Sequence, residues 1–451
     1  GVQTCALPIS GSAAGGRGWA AGPGKDEAAA PVGNLHVPDA VADVLDAIRE
    51  KLPVKLSEAK MQPPTPTIPP NQSNTTVITA KDMESHHDTT VQQALQCVTG
   101  VTVNEMVPGI SSYVKLNGDD RVLILVDGQS LANAQGSGYG RGSVDLTSLP
   151  GVGAIDHIEV TKGSGSVRYG SGAVGGVINI VTKKGDRRES SLYAYTGSWG
   201  MHGYTLTHSG RAGATSWLVS GDLEQRAYYA FPHGANTDHS RGDIARKSLS
   251  LRLDQDLTDH TSLTVKAYHQ DYHGHGSTYK ADPAGWYLTA NKPIDRLIND
   301  YSVTYHFKKE TAQPGFLRYF NDYQRTYWSN HYFTRTQGLE WRDNWQLGPH
   351  QHLTAGAEWT EDMGTNYEAH YIDKKRHNQA FYAEDALTFG KFTVTPGLRW
   401  DRNSTFGTHQ TPRLAMNYKA NDAFNVYASW SRVFSPPRLN DQFYVTTSRG
   451  I

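Results

Sequence analysis

The chain has 451 residues, and its 43 Lys plus Arg nearly cancel 44 Asp plus Glu. That balance lacks the basic excess of proteins that bind nucleic acid or an anionic membrane surface through charge. No apolar run reaches the roughly 18 to 20 residues that a spanning helix needs, which excludes a helical membrane protein but not a β-barrel, whose strands look only half hydrophobic.

The N-terminal part is poorly informative over residues 1–60. The chain opens on Gly1 without a secretory signal and reads as a fragment. Gly1 to Ser10 resembles translated sequencing-adapter sequence and is expected to be non-native. Val41, Val44, Leu45 and Ile48 fall at helical spacing within a short helix expected over 38–60. A linker follows at 61–74, in which Pro63, Pro64, Pro66, Pro69 and Pro70 enforce an extended, stiff course.

Aromatic residues divide what remains: one in 1–80, three in 81–185 and 42 in 186–451. A small domain poor in aromatics before a long region rich in them fits a globular plug followed by a barrel with aromatic girdles. Within 81–185, Thr89 to Val98 reads as a helix capped by Thr89 or Asp88 and ended by Gly100. Val122 to Val126, Ile155 to Val160 and Val177 to Val181 read as buried strands, the first stopped by the turn pair Asp127-Gly128.

From Ser190 onward the period becomes two. Leu249, Leu251 and Leu253 alternate with Ser250 and Arg252, and Leu263, Val265 and Ala267 alternate with Thr264 and Lys266. Roughly thirteen such strands are expected to 451. Short turns are expected near 211–215, 258–260, 309–314, 347–350, 389–391 and 420–422, with larger connections at 227–244, 273–296 and 362–376. That asymmetry of rims is the pattern of bacterial outer-membrane barrels, although short connections at 329–330 and 403–409 break it. A β-sandwich is the plainer alternative that strand count and loop asymmetry disfavour.

These residues carry a family resemblance. The segment TTVITA, 75–80, resembles a TonB box. DTTVQQALQCVTGV, 88–101, and RVLILVDGQSL, 121–131, resemble the first helix and central strand of a TonB-dependent plug. IDHIEVTKGSGSVRYGSGAVGGVINIVTKK, 155–184, resembles its closing segment at nearly every position. The resemblance implies a TonB-dependent outer-membrane receptor. The fold class expected is an all-β transmembrane barrel, truncated after about thirteen antiparallel strands, with an N-terminal α/β plug domain inside it. The plug would cover 81–185 and the partial barrel 186–451. The rest of the barrel would lie beyond Ile451, because an open sheet cannot leave its edges in lipid.

The same resemblance implies an importer and not an enzyme, with TonB as the periplasmic partner, outer-membrane lipid around the barrel, no nucleic acid and no resident cofactor. TonB would bind Thr75, Thr76, Val77, Ile78, Thr79 and Ala80. A short edge strand is the plainer reading of that segment, since it has good β-propensity. At the plug apex, Gln135, Tyr139 and Arg141 in ANAQGSGYGRG are the candidate ligand contacts, offering an aromatic face and a cation amid glycines. An iron–siderophore or haem is the favoured ligand, with vitamin B12 the alternative within the family and a passive porin or adhesin-like barrel outside it.

Three further features weigh less. Gly170-x-Gly172-x-x-Gly175 matches a dinucleotide fingerprint, but a β-branched strand follows where a helix must. His233, His239, His273 and His275 are the candidate axial ligands if the cargo is haem, although solvated loop histidines are the commoner reading. VFSPPRLNDQFY, 433–444, loosely resembles the FRAP-like box of these receptors and places residue 434 at the extracellular rim.

Overall fold

The computed structural model describes residues 74–105, 109–131, 144–163, 166–170, 172–229, 242–282, 285–311, 314–328, 331–421, 424–434 and 436–443, with backbone alone at 74, 166, 277–282 and 285–291. The helix expected over 38–60, nearly all of the Pro-rich linker, the apex loop holding Gln135, Tyr139 and Arg141, and His233 and His239 lie outside the described residues.

The plug runs through β1 (Asn74–Thr79), α1 (Ala80–Ser85), α2 (Val91–Gln96), β2 (Val101–Glu105), β3 (Ser112–Leu116), β4 (Val122–Val126), β5 (Gln129–Ser130), β6 (Ile155–Lys162), α3 (Ser166–Tyr169) and β7 (Gly176–Thr182). Five of the strands form one sheet in the order β1-β6-β7-β4-β5. Apolar residues recur at every second place, so Ile78, Ile158, Val160, Ile178, Ile180 and Ile124 share one face. There they pack against Val91, Ala94 and Leu95 of α2. Burying side chains of this size contributes about 1.5 to 3 kcal/mol each. The helix is shorter than its sequence suggests, and its cap is Thr90. The Thr90 hydroxyl accepts from the Gln93 amide, while the Thr89 amide is taken by the Gln93 side chain at 2.7 Å.

The rest of the chain is one antiparallel meander: β8 (Glu189–Gly197), β9 (Met201–Ala212), β10 (Thr215–Arg226), β11 (Ile244–Asp256), β12 (Thr261–Asp282), β13 (Gly285–Phe307), β14 (Gly315–Tyr327), β15 (His331–Gly348), β16 (Gln351–Asn366), β17 (Tyr371–Phe389), β18 (Phe392–Asn403), β19 (Gly407–Lys419) and β20 (Asn425–Ser431). These make a 13-stranded sheet in which each strand pairs with its sequence neighbours. Leu249, Leu251 and Leu253 point outward and stay exposed, while Ser248, Ser250 and Arg252 between them are buried on the plug side.

Two expected loops are strand instead. Residues 273–282 and 285–296 belong to β12 and β13, of 22 and 23 residues, and 362–376 is mostly β16 and β17 around a turn at 367–370. A tilted strand needs only about 9 to 11 residues to cross a bilayer. The excess projects past the membrane on one rim, where no lipid selects apolar side chains. Alternation therefore disappears from the sequence although the hydrogen-bonded ladder continues, as at Tyr272↔Arg296 and His273↔Asp295.

Candidate functional site

The segment that resembles a TonB box is docked in the plug as an end strand. Residues 75–79 lie in β1, which pairs antiparallel with β6 through Val77↔Glu159, Ile78↔Ile158 and Thr79↔His157. Ile78 enters the core and is only 6 % exposed, and the Thr75 and Thr161 hydroxyls lie 2.9 Å apart. Thr79 closes the strand by capping α1: its hydroxyl accepts from the Asp82 amide at 3.1 Å, and Asp82 accepts from the Thr79 amide at 2.8 Å. Backbone alternation and one isoleucine explain the docking. β1 is nevertheless the end strand of its sheet.

Next to β1, on the face away from the main core, lies a buried polar row. The Asn179 amide donates to Glu159 Oε2 at 2.8 Å, and its oxygen accepts from the Gly128 amide at 2.9 Å. His157 sits between Asp156 at 2.6 Å and Glu159 at 3.3 Å. Burial disfavours its charge, but hydrogen bonds donated to both carboxylates outweigh that and push the imidazole up to about 9. Glu159 and Asn179 are among the positions by which 155–184 resembles a plug's closing segment, but their pairing and the part of His157 were not legible, because each polar residue interrupts an apolar strand singly.

Farther across the sheet, the plug grips the barrel wall through charge. Asp127, at the β4–β5 turn, meets Lys266 of β12 at 2.9 Å and Arg252 of β11 at 3.6 Å, and its carbonyl accepts from Arg318 of β14 at 3.0 Å. Burial would raise the Asp127 carboxyl, yet these two cations and the Thr182 hydrogen bonds hold it well below the usual carboxylate range. Asp145 meets Arg296 of β13 at 2.7 Å, and Gln129 donates to Asp322 of β14 at 2.8 Å. Polarity reverses at Arg168, which meets Glu384 of β17 at 3.3 Å beside Arg413 of β19 at 3.1 Å. Gly170 follows with φ +85°, and a Cβ there would lie 3.2 Å from Arg399 Nη2.

Between the plug sheet and the wall is a cavity of about 170 Å³, bordered by Leu123, Leu125, Tyr169, Arg399, Phe434 and Arg438. Phe434 and residues 436–443 therefore lie over the lumen; α4 (Leu439–Phe443) packs on Ala369 and Tyr371, and Arg376 donates to the Pro437 carbonyl at 2.8 Å. The glycine fingerprint is followed by β7 and not a helix, as its β-branched residues required. His273 and His275 lie on the outward face of β12, paired with Asp295 and with Asp243 at 2.8 Å. Among the described residues, no cluster of three or more potential ligands could hold a metal ion.

This combination of plug and strand wall agrees with known proteins. Residues 70–177 match the TonB-dependent Receptor Plug Domain, and residues 179–450 match the TonB dependent receptor-like beta-barrel. Among solved structures, a variant of the ferric enterobactin receptor PfeA from Pseudomonas aeruginosa in complex with enterobactin aligns with TM-score 0.67 at 19 % identity, covering 81 % of this chain and 63 % of that one. The siderophore receptor PirA from Acinetobacter baumannii gives 0.67 at 20 %, covering 81 % and 62 %. PirA from Pseudomonas aeruginosa gives 0.63 at 21 %, covering 81 % and 65 %. The chain spans less than two thirds of each of these structures. With plug and barrel both matched in sequence, and the barrel match alone covering more than half of its length, the chain belongs to the TonB-dependent receptors, a family of outer-membrane transporters and not of enzymes.

Proposed function

We propose that this chain is the plug and thirteen strands of an energised outer-membrane importer whose cargo is a ferric siderophore. The observation that supports this best is the seating of the plug: Asp127, Asp145 and Arg168 hold it to the wall through ion pairs. A contact made of separable charges can be loosened and remade, whereas a passive pore needs no such stopper. Work is needed because a tightly bound ligand leaves slowly. The shared fold with receptors named for ferric enterobactin and siderophores favours an iron chelate over haem or cobalamin.

In this reading Thr75, Thr76, Val77, Ile78, Thr79 and Ala80 engage TonB by adding its strand to the outer edge of β1. Gln135, Tyr139 and Arg141 contact the ligand, and the Arg141 cation suits an anionic chelate. The test is uptake by cells carrying the full-length receptor, supplied in turn with a ferric catecholate, haem or cobalamin, with and without TonB. TonB-dependent iron uptake from the catecholate is expected. Tight cobalamin binding with no response to either iron source would refute the cargo, and uptake that persists without TonB would point to a passive pore. Val77→Pro, which removes a strand amide without touching the buried Ile78, should abolish uptake and spare surface binding. Full uptake by that variant would remove the segment from TonB engagement.

A further inference from the structure

The ends of α1 and α2 bring a thiol and an imidazole together in the plug. α1 stops where the His86 amide donates to the Asp82 carbonyl at 3.0 Å, and His87 turns the chain with φ +57°. α2 stops at Cys97, which is exposed while its neighbours Leu95 and Val98 are buried in the plug core. The two stops meet: Cys97 Sγ lies 4.0 Å from His86 Nδ1. Turn hydrogen bonds hold both backbones, the Val98 amide to the Leu95 carbonyl at 3.1 Å and the Asp88 amide to the Met83 carbonyl at 2.9 Å, so the approach is built into the fold.

A third group marks the place. The Asp88 side chain is only 8 % exposed, and its Oδ2 makes no hydrogen bond among the described residues. It lies 3.8 Å from the same His86 Nδ1, too far for a hydrogen bond and close enough for an ion pair once the imidazole is charged. A desolvated carboxylate without a donor costs free energy, which a proton arriving on His86 relieves. Cys97 can supply that proton. The carbonyl end of α1 also favours a cation at His86, whereas the carbonyl end of α2 disfavours a thiolate at Cys97. The imidazole, and not the helix, must therefore activate the sulfur.

We infer that Cys97 is a site of reversible thiolation that exchanges with low-molecular-weight disulfides, with His86 as its proton acceptor and Asp88 as the group that positions the imidazolium. Cys97 passes its proton to His86 Nδ1, and the thiolate attacks one sulfur of the disulfide. A new S–S bond forms to Cys97 and the old one breaks. The departing sulfur leaves with the bonding pair and takes the proton back from His86. Cys97 is oxidised, and the released half is reduced to a thiol. Disulfides persist outside the reducing cytosol, so their supply rests on the reading of the chain as an outer-membrane receptor, while the chemistry does not.

The test treats the intact receptor in detergent with oxidised glutathione across a range of pH and follows the adduct on the Cys97 peptide by mass spectrometry. One glutathionyl group should appear on Cys97, be removed by reductant, and form with a pH–rate midpoint below the value of about 8.5 of an ordinary thiol. His86→Gln should return the midpoint to that value and slow the exchange about threefold near pH 7, because the lost thiolate fraction outweighs the greater nucleophilicity of a more basic sulfur. Asp88→Asn should move the midpoint in the same direction by less, and Cys97→Ser should carry no adduct on that peptide. A native midpoint at or above that of an ordinary thiol, no adduct on Cys97, or superimposable profiles for the native and His86→Gln receptors would overturn the inference. No transport is measured, so failure here leaves the uptake reading standing, and a receptor that imports nothing still shows the exchange.

Discussion

Asp127 and Lys266 meet at 2.9 Å across the boundary between plug and barrel, at the edge of the plug sheet farthest from β1. One end of the sheet is thus an open strand and the other is pinned to the wall. Asp127 holds φ +50° to make this contact, a left-handed conformation uncommon outside glycine, which the adjoining Gly128 shares.

Removing the pin should loosen the plug. Asp127→Asn leaves Lys266 facing the plug without its carboxylate, while Arg252 keeps Asp254 at 2.7 Å, and breaking one partner of a buried pair typically costs about 3 to 5 kcal/mol. The expected outcome is faster proteolysis of the plug in the folded receptor, partly reversed when Lys266→Met is added. Additive effects of the two substitutions would show that the residues are not coupled.

His157 gives the plug a pH dependence of definite sign. Its folded value lies above its ordinary 6.5, at about 9, so the folded state holds the proton more tightly. The stabilisation is complete below pH 6.5 and is lost as pH rises through about 9. Urea midpoints of plug unfolding should fall across that window in the native receptor and fall less in His157→Gln. Parallel profiles for the two proteins would contradict the assignment.

Gly176 tests the sheet's geometry. It sits at φ +151°, and a Cβ there would lie 2.3 Å from the Thr161 carbonyl oxygen, against backbone that cannot rotate away. Gly176→Ala should therefore part β6 from β7 at that end and cost about 1 to 3 kcal/mol, the range for a strained backbone position. An unchanged denaturation midpoint would mean that the strands are not so closely apposed.

Tyr139 and Arg141 carry the apex proposal. If both contact the ligand, the Tyr139→Ala/Arg141→Ala receptor should bind its siderophore at least about tenfold more weakly, since aromatic and Arg anchors each commonly contribute more than 1 kcal/mol. Equilibrium binding at the cell surface, with TonB absent, measures this without transport. Unaltered affinity would dismiss the pair.

The chain's periodicities determined a good deal unaided. A period of two with leucines on one side and Ser, Thr or Arg on the other is a local property, so thirteen strands and the faces of β11 and β12 could be read without knowing any partner. The plug strands were legible as apolar runs at 122–126, 155–160 and 177–181, within one or two residues of their ends in the structure. Tertiary structure decided what local pattern cannot carry. Thr75 to Thr79 has strand propensity either free or docked, and only the register with β6, 80 or so residues away, settles it. The overhanging halves of β12, β13, β16 and β17 lost their alternation because no lipid lies beside them, although their ladders persist. The grips of Asp127, Asp145 and Arg168 join residues more than a hundred positions apart, and a single charge in a sequence does not name the opposite charge that folding will bring to it.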